Sequence, residues 1–567
     1  MVEFPPHMSV LQKIWKLKNE DSSASLLQKL FLNRGLTDEI KIERFLHPNS
    51  DRDFHDPFLM KDMARAVERI GKAIEKSERI MIFGDYDVDG ITASAIMMRA
   101  LTKLGAKVSY RLPHRIEDGY GLREKFIKEF AKLEVKIVIT VDNGISCRRE
   151  VESAQALGID VIITDHHTIP AEIPKAFAIL HPKLSDSAYP FADLTGAGVA
   201  LKLAQALYIK RLNNPDEEIR KLFDLACMGT VSDLGPLYGE NRYIVKQGLT
   251  VLENTRWPGL SRLKQSARVK GRIDTQTIGF LLGPRINAAG RISHPSHALQ
   301  LLLHDEKHSE ALAQNLERLN SKRQKMMTEM MEVAEKLAAE QCNNSIIIIS
   351  DPIFHGGIIG LIAGRIAEKY SRPAIAMEER KDCFVGSCRS IPQINIFEVL
   401  RDAAGDLFTH FGGHSAAAGF DLPRACLAEF TEKVAAKTAS LLSAKDCRPI
   451  LPIECEITHA EISEKTVKIL REFEPFGMGN EVPRFLCKNI PIMDFGLVGA
   501  DKKHLKIKAQ LNGINVSGIG FNLGKYSSQL NDNKVIDAVC EVEEDSWNGG
   551  IQIKLVDFRQ TPQRLPL

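Results

Sequence analysis

The chain has 567 residues, of which 44% are hydrophobic and 26% charged, with a formal net charge of +2. That length predicts about three or four domains of ordinary globular composition. It contains no apolar run near the ~20 residues of a membrane span and no secretory pattern at its start, so a cytoplasmic protein with no membrane partner is expected. The near-neutral balance leaves a nucleic-acid partner open, because acids elsewhere can offset a local basic groove. Ten cysteines without a C-x-x-C pair argue against a zinc ribbon or a disulfide framework.

In chain order, residues 79–181 alternate between two periods. "RIMIF", "KVSYRL", "VKIVITV", "DVIIT" and "FAIL" read as buried strands. Between them, "ITASAIMMRALTKLG", "LREKFIKEFAKL" and "CRREVESAQALG" read as helices, two of them stopping at Gly105 and Gly158. This alternation predicts a parallel sheet with helices on its faces. Residues 296–349 lack Gly and Pro, so 308–340 reads as one or more long helices, about 50 Å if continuous. Met326, Met327, Met330 and Met331 within it read as packing residues. A second α/β block starts at "SIIIIS" (345–350) and ends near "HFGGHSAAAGFDLP" (410–423). "CRPILPIECEI" reads as a linker and entry strand, and the last hundred residues as short alternating strands of a small all-β barrel or sandwich.

Chemistry concentrates at strand ends, where parallel sheets bind ligands. The first strand ends in "GDYDVDG", with Asp85, Asp87 and Asp89; the third in "TVDNG", with Asp142; the fourth in "ITDHH", with Asp165, His166 and His167. "MGTVSDLG" adds Asp233. Three carboxylates within five residues repel one another unless a cation neutralises them. The spacing is not an EF-hand loop: no bidentate Glu follows, and the context is strand–loop–helix. Mixed carboxylate and imidazole ligands suit Mn²⁺ or Mg²⁺ and can hold zinc. An aspartate shared by two ions about 3.5–4 Å apart is the arrangement that cleaves phosphate esters with an activated water.

"GDYDVDGITAS", "TVDNG", "ITDHH" and "GTVSDLGPLYGENR" resemble, in order, the four motifs of the DHH phosphoesterase family. Within it the sequence is most similar to the RecJ family of single-stranded-DNA-specific exonucleases. "LTGAGVALKLAQAL", "GPRINAAGRI", "HGGIIGLIAGRI", "GSCRSIP", "HFGGHSAAAGF" and "EPFGMGN" extend the resemblance from about residue 50 to about 490. The resemblance implies a parallel-sheet DHH domain, joined by long helices to a second α/β DHH-associated domain, with a C-terminal all-β OB-like barrel. The implied boundaries are an N-terminal segment at 1–50, the DHH catalytic domain at 51–260 and a linking region at 261–344. The DHH-associated substrate-binding domain at 345–445 and the OB-like domain at 446–567 complete the chain. Asp87, Asp89, Asp142, His166 and Asp233 fall on the family's metal-ligand and catalytic positions, with Asp142 as the bridging carboxylate. Asp85 and His167 stand beside them as further ligands or orienting groups, and Asp165 as an orienting or phosphate-contacting one. Some family members carry a histidine where this chain has Phe83, and Asp85 is expected to take part of its role.

The implied substrate-binding residues are Arg285, Arg291, His355, Arg389, Ser390, Gly412, Gly413 and His414. Small neighbours let backbone amides approach a phosphate, and "FGGHSAAAG" is expected to supply a glycine-bounded helix start as an anion site. Gly356 stands where many relatives have glutamine, so one side-chain hydrogen bond is expected to be missing. "RLKQSARVKGR" (262–272) and "DKKHLKIK" are basic runs, either solvated faces or tracks for a strand. The resemblance therefore implies a metal-dependent 5′→3′ exonuclease on single-stranded DNA, using Mn²⁺ or Mg²⁺ as two ions and releasing 5′-mononucleotides. Single-stranded-DNA-binding protein and a helicase are its implied partners. Two rival readings remain. A small-substrate phosphoesterase acting on cyclic dinucleotides, short RNA or pyrophosphate would not need the C-terminal β-domain. A non-catalytic scaffold would have lost ligands that are present here.

Overall fold

A computed structural model describes residues 8–21, 23–442, 447–532, 534–545 and 549–561. Residues 1–7 of the expected N-terminal segment and 562–567 of the expected C-terminal domain lie outside the described residues. Residues up to Pro48 and from Arg448 form one compact unit; Asn49–Cys447 form the other.

In the larger unit, five parallel strands hydrogen-bond in the order Lys107–Arg111, Arg79–Gly84, Val135–Val141, Asp160–Thr164 and Ala178–Leu180. The central strands are apolar on both faces. Ile80, Ile82, Ile137 and Ile139 enter one core, and Met81, Phe83, Val138 and Ile163 the other. That is why their sequences read as unbroken hydrophobic runs rather than alternations. Helices Val88–Lys103 and Arg148–Ala156 stop just before Gly105 and Gly158, whose φ values of 76° and 70° suit glycine. The strand order reverses between Arg79–Gly84 and Val135–Val141. A crevice opens at such a switch point, beyond the carboxyl ends of the strands.

The expected long helix is single. Glu306–Ala339 runs 34 residues, about 51 Å at 1.5 Å per residue. Ala313, Leu316 and Leu319 pack into the core of the parallel-sheet domain, and Met327, Met330, Met331, Ala334 and Ala338 into that of the second α/β block. One rigid element thus ties both cores. The second block carries a five-stranded sheet in the order His410–His414, Ala417–Pro423, Cys383–Arg389, Ala374–Glu379 and Ile347–Asp351.

"FGGHSAAAG" is not a helix start. It is an antiparallel hairpin pairing Gly412 with Gly419 and His414 with Ala417. Phe411 and Phe420, directly opposite each other, belong to the aromatic core and set the register. The run of small residues fits close strand packing as readily as a helix, so composition left that choice to the neighbouring aromatics.

In the smaller unit, Ile14–Leu17 pairs in parallel with Ile450–Ile453. Strands Phe485–Val498, His504–Leu511, Ile514–Gly520, Ile551–Gln560 and Val535–Glu544 hydrogen-bond in that order, and the last returns to the first. The result is a closed five-stranded barrel of OB type. His504–Leu511 shows the pattern behind it: Leu505, Ile507, Ala509 and Leu511 point inward while Lys506 and Lys508 face water. Among the described residues, no helix is long and apolar enough to cross a membrane.

Candidate metal centre

The acids gather at the switch point because each strand end is locally constrained. Asp87 caps helix Val88–Lys103, its Oδ1 accepting the Asp89 N–H at 3.0 Å and the Gly90 N–H at 3.1 Å. Asp89 is thereby turned inward. Its carboxylate accepts the N–H groups of Gly196 at 2.6 Å and Ala197 at 2.9 Å, the first amides of helix Gly196–Arg211. A helix N-terminus holding an anion in this way is electrostatically favourable. Asp142 sits just past its strand at φ 63°, the left-handed region, where a non-glycine residue is uncommon and often functional. Beside it, Asn143 Nδ2 donates to the carbonyls of Phe83 and Val141 and ties the two strand ends together. Asp233 caps the C-terminus of the buried helix Phe223–Ser232.

These constraints bring the side chains together. His166 Nε2 lies 3.0 Å from Asp142 Oδ1, 3.6 Å from Asp233 Oδ2 and 3.8 Å from Asp89 Oδ2. Three groups have ligand atoms within 4.8 Å of one another: Asp85, Asp87 and Asp142; Asp89, His166 and Asp233; and Asp142, His166 and His167. Asp142 belongs to two of them. Asp85 Oδ1, Asp142 Oδ1 and His166 Nε2 are buried without a hydrogen-bond partner. His166 and Asp142 are therefore close without bonding each other. Leaving buried polar atoms unsatisfied costs about 1–3 kcal/mol each. Their convergence, and a donor set of carboxylate oxygen and imidazole nitrogen, fit divalent cations.

The electrostatics agree. Burial and then mutual repulsion raise the carboxyls: Asp89 to about 7, Asp233 to about 8, and Asp85 and Asp142 well above the usual range. Burial, with His167 beside it, lowers His166 to about 3, so it presents a neutral nitrogen. Ionising these crowded acids together is costly unless a cation offsets their charge, as expected of a functional site.

Asp165 and His167 form an ion pair of their own beside these candidate ligands. Burial opposes both charges, but their contact at 2.7 Å outweighs it, so Asp165 is held ionised and His167 protonated. Asp165 also accepts the N–H groups of Ile145, His166 and His167, which shapes the whole loop. Tyr120, unmarked by the sequence, bridges this pair to the acids: its hydroxyl lies 3.1 Å from His167 Nδ1 and 3.3 Å from the Asp142 carbonyl. Its signal was "DGYGL", in which Gly119 and Gly121 both take positive φ and hold Tyr120 in the site. "LTGAG" likewise concealed a role. Thr195 caps the helix, and the small residues after it let Asp89 reach its first amides and Asp142 pack closely against Gly196. Phe83 is fully buried against Phe126 and Phe130 and does not face the acids; Asp85 supplies the oxygen on this side.

The expected phosphate-binding residues occupy varied settings. Arg115, Arg291, Arg323 and Arg389 lie close enough that repulsion among them, after burial, lowers Arg291 to about 9; Asp87 acts in the opposite sense. Arg115 Nε is buried without a partner. Arg291 donates to the Gly357 carbonyl, and Arg389 to Ser387 Oγ and the Cys388 carbonyl. Arg285 is already engaged, with Nε 2.6 Å from Glu317. His355 Nδ1 accepts the Gly357 N–H, and Ser390 Oγ donates to Ile394. Gly412, Gly413 and His414 are exposed on the hairpin. At Gly356 the backbone N–H bonds Glu378 at 3.0 Å, so that position engages through its amide. In the 262–272 run, Lys264 satisfies the Leu252 and Glu253 carbonyls and Arg262 pairs with Glu310, so these two cations are partly structural.

Comparison with known proteins matches the same regions. Residues 79–230 match the DHH family N-terminal domain, 343–440 the DHHA1 domain and 453–557 the RecJ OB domain. The chain is 36% identical over 541 residues to the single-stranded-DNA-specific exonuclease RecJ of Bacillus subtilis (strain 168), covering 94% of this chain and 68% of that protein. It is 32% identical to the RecJ exonuclease of Dickeya dadantii (strain 3937), covering 94% and 96%. The crystal structure of RecJ from Thermus thermophilus in complex with Mn²⁺ superposes with a TM-score of 0.82 at 28% identity, covering 97% of this chain and 80% of that one. With all three domains in order and identity sustained across nearly the whole sequence, the chain belongs to the RecJ family of single-stranded-DNA-specific exonucleases.

Proposed function

We propose that this protein is a metal-dependent 5′→3′ exonuclease that removes 5′-mononucleotides from single-stranded DNA in recombination and repair. The observation that carries the chemistry is Asp142, shared by two ligand groups and left with an unsatisfied buried oxygen. Asp85, Asp87, Asp89, Asp142, His166 and Asp233 would hold two Mn²⁺ or Mg²⁺ ions. When bound, such ions supply a water of lowered pKa and stabilise charge on phosphoryl oxygens. His167, kept protonated by Asp165, is placed to hydrogen-bond a non-bridging phosphate oxygen or the leaving oxygen. Arg115, Arg291 and Arg389 supply positive charge for a neighbouring phosphate. Ser390, His355 and the Gly412–His414 hairpin edge line the same proposed path. Arg285 acts through Glu317, by bracing the helices that carry it. The barrel adds a surface for strand binding. The polarity, the cytoplasmic setting and partnership with single-stranded-DNA-binding protein and a helicase rest on family membership.

Single strands labelled at either end, offered with Mn²⁺ or Mg²⁺ beside duplex, short RNA and cyclic dinucleotide, test this reading. The 5′ label should appear as mononucleotide from the earliest times, while 3′-labelled strands shorten progressively. Early release of the 3′ label, or turnover of cyclic dinucleotide alone, would reject it. Tyr120→Phe should lower kcat about tenfold, the worth of one hydrogen bond to a charged group, with apparent metal affinity unchanged. A metal titration that shifted with kcat would instead place Tyr120 in support of the ligands.

A further inference from the structure

Thr277–Leu282 is a single π-helical turn, the rarest helical form and one often found at functional sites. Ile278 and Leu282 are fully buried and anchor it, yet Phe280 between them is 77% exposed, the largest exposure of any large apolar side chain among the described residues. Leu281 beside it is 37% exposed, and Gly279 faces open space. An ordinary α-helical turn would bury one of each three or four residues on this face; the wider turn leaves three consecutive ones outward.

The turn is firmly held. Arg285 Nη1 donates to the Leu281 carbonyl at 2.7 Å while its Nε is fixed by Glu317. A Cβ on Gly283 would come 3.0 Å from Ser232 Oγ, so the turn abuts the helix end that presents Asp233. Leu234, next after Asp233, is itself 69% exposed at a φ of 57°. Ahead of the turn on the same segment, Arg268 and Lys270 are exposed in "RVKGR". A firmly held turn that abuts the helix ending at Asp233 therefore presents an uncovered aromatic ring, with exposed cations preceding it in the chain. Anionic polymers with flat π-faces match that pairing: cations follow the backbone and bases stack on aromatics.

We infer that Phe280 is a stacking platform for one unpaired base of a single strand engaged at the metal centre, and that it contributes to the selection of single strands. This rests on the exonuclease reading above. A base within a duplex has both faces covered by its neighbours and cannot use the platform without unstacking.

Binding of fluorescent oligothymidylate, measured by anisotropy independently of cleavage, tests the inference. Phe280→Ala should weaken binding about 5- to 150-fold, the range for losing one base stack. Phe280→Trp should bind as tightly as the parent. Ile40→Ala, which removes another side chain that is 74% exposed, should have no effect. Oligonucleotides with one abasic site, moved along the strand, should show one position whose penalty is present in the parent and gone in Phe280→Ala. Equal affinity of parent and Phe280→Ala, or an abasic profile that the variant leaves unaltered, would overturn the platform. A parent that binds with this profile but does not cleave would overturn only the exonuclease reading.

Discussion

Asp142→Asn should lower phosphodiester cleavage by roughly 10³-fold or more while the protein stays folded. Loss of an anionic ligand shared between two ligand groups removes several kcal/mol of charge stabilisation, and about 4 kcal/mol corresponds to that factor. Asparagine keeps the shape of the side chain and is at home at the positive φ that Asp142 adopts, so the backbone has no reason to move. The variant should also be more stable than the parent when divalent metal is withheld at pH 8. The sign follows from the acids around it. Burial, then repulsion from neighbouring aspartates, raises Asp89 to about 7 and Asp233 to about 8 from an ordinary value of 3.8. The folded chain thus holds protons that the unfolded chain releases. This contribution to stability is fully present below about pH 4 and is lost as pH rises through 7 and 8. Metal should reverse the decline in the parent, and its stabilising effect should grow with pH. Thermal unfolding at pH 5 and pH 8, with and without Mn²⁺, checks this. Undiminished turnover in Asp142→Asn would remove the shared-ligand mechanism; a parent more stable at pH 8 than at pH 5 without metal would contradict the electrostatic account.

Gly196→Ala should destabilise the protein by about 1–3 kcal/mol and reduce turnover about 10²-fold. Helix propensity alone predicts the opposite sign, because alanine favours a helix over glycine by about 1 kcal/mol. A Cβ at this position would lie 2.5 Å from both Cβ and Oδ1 of Asp142. Asp142 cannot yield easily, since its N–H is bonded to the Thr164 carbonyl at the end of the adjacent strand. The helix must therefore back away, and its first amides leave Asp89. Gly198→Ala is the matched comparison. There the added methyl meets the Leu194 side chain, most closely its Cδ2 at 3.1 Å, and no backbone or acid, so a smaller effect is expected. Unfolding free energies and kcat for both variants decide the point. If Gly196→Ala is stabilised and active, the close packing of this helix on the acids is not functionally required.

Much of the candidate site was legible because its residues sit at strand ends, and strand ends are marked by abrupt changes from apolar to charged. Asp87, Asp89, Asp142 and His166 stand out on that ground, and Asp233 through its glycine-bounded motif. The groups that support them were not legible. Tyr120 lies between strands in an ordinary-looking turn, and its use depends on two backbone torsions at Gly119 and Gly121. Arg115 gains meaning only from Arg291 and Arg389, far away in sequence. The helix start assigned to "FGGHSAAAG" failed because small residues permit several close-packed geometries, and Phe411 and Phe420 select the hairpin through the core. Arg285, expected among the substrate-binding residues, proves to be paired with Glu317 on the long helix, a contact that no local pattern reveals.

By itself, the sequence determined the periodic elements, the family and the acids and imidazoles available for metal. Those depend on residue type, local spacing and motif order. Only the tertiary structure decided which oxygen and nitrogen atoms are left without partners, which arginines are already neutralised, and where an aromatic face remains uncovered. Each of these is a question of what lies opposite a side chain across the fold. The parallel sheet and the 34-residue helix answer it by bringing distant segments within a few ångströms.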